Sequence, residues 1–93
     1  MDARITGRVH GVGFRYFAVR EAQALGLVGW VANDPDGSVH CVAEGQRDLL
    51  ESLEERLREG PPAAIVEAVS VAWMAATDTF GAFGVRSGAH RGD

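Results

Sequence analysis

Between Gln46 and Glu59 the apolar positions recur at Leu49, Leu50, Leu53 and Leu57, with Glu51, Glu54, Glu55 and Arg58 between them. That spacing predicts a helix with one apolar stripe and a solvated charged face. Gly60-Pro61-Pro62 then supplies a stop. A second helical pattern covers Arg15 to Leu25, where Phe14, Ala18, Ala22 and Leu25 fall on one face and Gly26 closes it.

The other segments follow strand rules. Arg4 to Val9 predicts a short strand running into a glycine loop. Leu27 to Asn33 and Ser38 to Glu44 predict two more, the second with Val39, Cys41 and Ala43 on one face. Between them Asn33-Asp34-Pro35-Asp36-Gly37 is dense turn chemistry, so the pair reads as a hairpin. Ile65 to Trp73 predicts a strand with Ile65, Val69, Val71 and Trp73 on one face, interrupted by Glu67. Ala82 to Arg86 predicts a last short strand, with Phe83 and Val85 on one face. The polar tail, 87–93, is expected to be mobile.

Strand, helix, strand, strand, helix, strand, with a short strand added, predicts an α+β, ferredoxin-like (βαββαβ) sandwich. A mainly antiparallel four- to five-stranded sheet would carry two helices on one face. This plan hosts unrelated functions and settles none.

Length and composition narrow the picture. The 93 residues fit one domain, 1–93, and no repeat or internal linker divides them. No apolar run reaches the ~20 residues of a membrane-spanning helix, and Met1-Asp2-Ala3-Arg4 does not open a signal peptide. A cytoplasmic monomer with no membrane partner is expected. Cys41 is the one cysteine and sits in an apolar run, which suits packing better than nucleophilic chemistry. Thirteen acidic residues against nine basic ones leave a net charge of −4, which argues against nucleic-acid binding. Yet residues 3–20 hold Arg4, Arg8, Arg15 and Arg20 and no acid. Either this is chance clustering or one local anion site lies there.

Candidate chemistry concentrates in that segment. Gly7-Arg8-Val9-His10-Gly11-Val12-Gly13-Phe14-Arg15 joins a strand to a helix, where the first helical N–H groups lack internal partners. Gly11 and Gly13 allow the backbone to curl into an anion nest. Arg15 adds a planar fork of donors suited to phosphate oxygens. The alternative is a glycine-punctuated connection with a surface arginine. A dinucleotide fingerprint is excluded, because Tyr16 stands where the third glycine belongs, and a Walker loop is excluded, because the chain has no lysine. No acidic cluster suggests magnesium, and His10, His40 and His90 are too scattered for a metal set. His10 is either a plain polar loop residue or a phosphohistidine nucleophile, although no carboxylate is placed to orient it. His40 should face away from Val39 and Cys41. Trp30 and Trp73 should pack in or beside the core. Asn33 on residue chemistry alone could simply start the turn.

Taken together, residues 5–15 and 29–45 resemble the two signature segments of the acylphosphatase family. Gly29, Trp30, Val31, Asn33, Gly37, Val39 and Gly45 match, whereas His10 replaces the usual glutamine. The resemblance implies metal-free hydrolysis of small acyl phosphates to a carboxylate and inorganic phosphate, with no cofactor. It makes Arg15 the phosphate-binding arginine and Asn33 the residue that positions water. It makes Val9, His10, Gly11, Val12, Gly13 and Phe14 the phosphate cradle. Two other classes stay open: a non-catalytic anion-binding module, which has no use for Asn33, and an RNA-binding module, which needs a basic face. Kinship with the acylphosphatase-like domain of larger carbamoyl-transferring maturation proteins is also open.

Overall fold

A computed structural model describes residues 1–86; the tail expected to be mobile, and His90 within it, lie outside the described residues. The strands are β1 (Asp2–Arg8), β2 (Val28–Asn33), β3 (Val39–Glu44), β4 (Ile65–Ala72) and β5 (Phe83–Val85). The helices are α1 (Phe14–Ala24) and α2 (Arg47–Glu59). One sheet runs β4-β1-β3-β2-β5. Every pairing is antiparallel except β2 with β5, so the sheet is mixed.

Alternation along the strands decides which face is dry. Ala3 pairs with Cys41 and Cys41 with Val31, so these side chains share a face. On that face Ala3, Ile5, Val31, Val39, Cys41 and Phe83 are buried in one cluster with Phe14, Ala18, Ala22, Leu50, Leu53 and Leu57 of the helices. Both helices therefore cover the same side, as the ferredoxin-like plan requires. Removing a buried leucine such as Leu53 would cost about 2–5 kcal/mol. Leu49, at the margin of the α2 stripe, is only half-buried. Burial pushes the Cys41 thiol up to about 12, which leaves it protonated and inert.

Two expectations need correction. First, β1 is longer than the segment from Arg4 and is interior: Asp2 and Ala3 already pair with β3 on one side and β4 on the other. Second, the alternation assigned to β4 fails at its start. The register slips between Thr6 and Gly7, so Glu67 is an extra residue in the ladder. The bulge reverses the parity before it: Ile65 is 57 % exposed, and Val66 packs against the core with Val69 and Val71. Gly7 permits this at φ 126°, since a Cβ there would stand 2.2 Å from the Ile65 carbonyl oxygen. Trp73 lies beyond the strand, with the Arg47 guanidinium 3.6 Å from its ring centre. Trp30 sits on the helix-free face, edge-on to His40 and under Arg86.

Candidate active site

The segment after β1 turns through Gly11 (φ 70°) and Gly13 (φ 80°) into α1. A Cβ at either glycine would meet nothing within 4 Å. Crowding therefore does not call for glycine here; the left-handed backbone does. Val9 and Phe14 are buried at the two ends of the loop, and Val12 packs against the core between them. The apolar residues pin the loop while the glycines face solvent.

Gly13 caps α1 without a side-chain hydrogen bond, and the first turn holds no acid. No side chain of that turn therefore offsets the positive end of the helix. Arg15 is half-buried in that turn and lines an open cleft of about 550 Å³ with Val9, Gly11, Gly13, Phe14 and Asn33.

Asn33 reaches the same cleft because of its parity. It follows Gly29 and Val31 on the helix-covered face, at the end of β2 where the apolar core stops. Its Oδ1 is buried and accepts no hydrogen bond among the described residues. The turn does not use this side chain. Asp34 opens the turn instead, its N–H donating to the Ser38 carbonyl and its carbonyl accepting from the Gly37 N–H. Asp36 closes it, accepting from the Ser38 hydroxyl and N–H; those bonds hold its carboxyl below the usual carboxylate range. The reading of Asn33 as a turn-starting side chain is not what the structure shows.

His10 turns away from the cleft. Its Nε2 donates to the Ser38 carbonyl at 2.8 Å, the same oxygen that accepts from Asp34. One carbonyl thus links the glycine loop to the hairpin that carries Asn33. Arg4 braces the hairpin from β1, pairing with the Asp34 carboxylate and reaching the Ser38 hydroxyl at 3.1 Å. His40 faces the open side of the sheet, as its parity predicts, and bonds Asp2 at 2.7 Å. Among the described residues no three or more His, Cys, Asp or Glu gather to hold a metal ion.

A family model described as Acylphosphatase matches residues 1–85. The chain belongs to the acylphosphatase family. An acylphosphatase from Salinibacter ruber is 56 % identical over 86 residues, 92 % of this chain and 90 % of the relative. The crystal structure of acylphosphatase from Bacillus subtilis superposes with a TM-score of 0.88 at 38 % identity, over 91 % of this chain and 94 % of that one. Full-length HypF, in a phosphate- and nucleotide-bound form, is similar over 92 % of this chain with a TM-score of 0.81 and 28 % identity. There the match spans only 11 % of the larger protein. Curated acylphosphatases at 43–56 % identity support an acylphosphatase enzyme.

The cleft also has walls that the sequence motifs did not point to. Tyr16, Val19 and Gln23 line it from α1, and Phe83, Gly84 and Val85 line it from β5. The spacing i, i+3, i+7 on α1 was a usable signal. Nothing local announced that β5 would stand beside it.

Proposed function

We propose that this chain hydrolyses the carboxyl–phosphate bond of small acyl phosphates, releasing a carboxylate and inorganic phosphate, with no metal required. The observation that carries the reading is the Asn33 amide. Asn33 lines the same cleft as Gly11, Gly13 and Arg15, and its buried Oδ1 is left unpaired, which costs about 1–3 kcal/mol.

The roles follow from the chemistry. Loop N–H groups, the start of α1 and the Arg15 guanidinium would hold the phosphoryl oxygens and stabilise charge that builds in the transition state. The Asn33 amide would hydrogen-bond the attacking water and aim the water's oxygen at phosphorus. As the new P–O bond forms, the bond to the carboxyl oxygen breaks and the electron pair leaves with the carboxylate. The water's second proton passes to a phosphoryl oxygen, so no protein base is needed. Phosphoryl transfer of this kind rests mainly on positioning and electrostatics.

The test is hydrolysis of benzoyl phosphate by the purified protein in EDTA. Full turnover is expected, and chelator-dependent loss would overturn the metal-free mechanism. Arg15→Ala should cut turnover by at least ~10²–10³. Asn33→Ala should lower kcat strongly and leave competition by inorganic phosphate nearly unchanged. Phosphate binding without any hydrolysis would instead make this an anion-binding module.

A further inference from the structure

The β2–β3 ladder ends at the pair Asn33 and Val39, so residues 34–38 project beyond it. Bonds inside the turn, from the Asp34 N–H to the Ser38 carbonyl and from the Gly37 N–H to the Asp34 carbonyl, fix its shape. They do not fix where it stands against the rest of the sheet. Side chains from other elements do that: His10 reaches in from the glycine loop, and Arg4 from the helix-free face of β1.

Arg4 is well anchored. In the interior strand β1 it pairs with His40 on one side and Ser70 on the other. Its Nη1 meets the Asp34 carboxylate and donates to the Ser38 hydroxyl at 3.1 Å. Its Nη2 lies 3.5 Å from His40 Nδ1. His40 donates through Nε2 to Asp2 at 2.7 Å, which leaves Nδ1 as an acceptor toward Arg4. The planar guanidinium can serve these three partners in one fixed geometry. The Asp34 side chain is only 17 % exposed, so without Arg4 its carboxylate would be largely buried and unpaired. Ser38 is held twice, at its hydroxyl by Arg4 and at its carbonyl by His10.

We propose that Arg4 is a positioning residue for the hydrolysis: from the face opposite the helices it fixes the turn that follows Asn33, and so the direction in which the Asn33 amide points. Arg4 does not line the cleft, so it acts through the hairpin and touches no substrate. The inference rests on the hydrolase reading, in which Asn33 aims the water. Displacing an aiming group by about 1 Å can cost ~10²-fold in rate, even when the change is made far from the reacting atoms.

The experiment compares the wild type with Arg4→Met and Asp34→Ala, which cut the same link from its two ends. It measures hydrolysis of benzoyl phosphate, inhibition by inorganic phosphate, and the NMR signals of the Asn33 side-chain amide. Both variants should lower kcat at least about tenfold. The inhibition constant for phosphate should stay within about twofold, because the glycine loop and Arg15 are untouched. In Arg4→Met the Asn33 side-chain signals should move while the backbone signals of Gly11 and Gly13 stay. Wild-type kcat in either variant, a loss of phosphate affinity that matches the loss of kcat, or unmoved Asn33 signals overturns the proposal. If Arg4→Met does not fold, Asp34→Ala carries the kinetic test. If the wild type hydrolyses no acyl phosphate, the hydrolase reading falls, and the Asn33 signals alone decide whether Arg4 sets that amide.

Discussion

His10 stands where the family's usual residue is glutamine, and its contact explains how either could serve. The ring donates through Nε2 to the Ser38 carbonyl, and a glutamine amide is also a donor able to reach a carbonyl. The bond ties the loop that would hold phosphate to the hairpin that would aim water. Losing one such bond is worth about 1 kcal/mol, so His10→Ala should lower kcat about fivefold. Competition by inorganic phosphate should move less, because the loop glycines and Arg15 remain. His10→Gln should restore kcat. Steady-state kinetics on the two variants, with phosphate as competitor, checks this. A phosphohistidine role predicts instead that His10→Gln is as inactive as His10→Ala.

At the scale of elements, two glycines in the same stretch serve different ends. Gly13 holds φ 80° with open space around its missing side chain, while Gly7 holds φ 126° with the Ile65 carbonyl in the way. Gly13→Ala should therefore cost only the left-handed backbone penalty, about 1–2 kcal/mol, and its methyl group should obstruct the end of the cleft proposed to hold phosphate. The expected result is a melting temperature lower by roughly 4–15 °C with activity lost nearly completely. Gly7→Ala adds a collision to the backbone penalty, at the position where the ladder slips and Val66 turns inward. It should destabilise by more than about 2 kcal/mol, with kcat per folded molecule preserved. Thermal melts and kinetics on both variants separate the two roles.

At the scale of the whole molecule, Glu44 links the far end of β3 to the segment that leads into β5. Its carboxylate accepts from the Thr77 N–H and hydroxyl and from the Asp78 N–H. The bond from the Thr77 N–H, foremost among these, holds the carboxyl below its ordinary value of 4.5. The unfolded chain therefore takes up this proton at a higher pH than the folded one. Stability from Glu44 is present above pH 4.5 and is lost as pH falls through the lower folded value. Glu44→Gln should melt below the wild type at pH 7, and the gap should close in acid. Melts across pH 2–7 test this; a gap that stays constant would show that the charge is not what holds the segment.

Much of this was readable in one dimension, because it depends on neighbours in the chain. The leucine stripe of α2 follows from 3.6-residue periodicity, and the hairpin follows from turn chemistry at Asp34 to Gly37. The glycine loop, Arg15 and Asn33 could be picked out by residue type, place between elements and family resemblance. The structure then brought loop, arginine and asparagine to one cleft. Tertiary structure alone decided three other matters. It sent His10 to Ser38, set β4 in register through a bulge opposite Gly7, and stood β5 beside β2 to wall the cleft. Each joins segments far apart in sequence, as Gly29 with Phe83 shows. Local propensity does not specify such pairings; they are selected when the whole sheet buries its apolar face under the two helices.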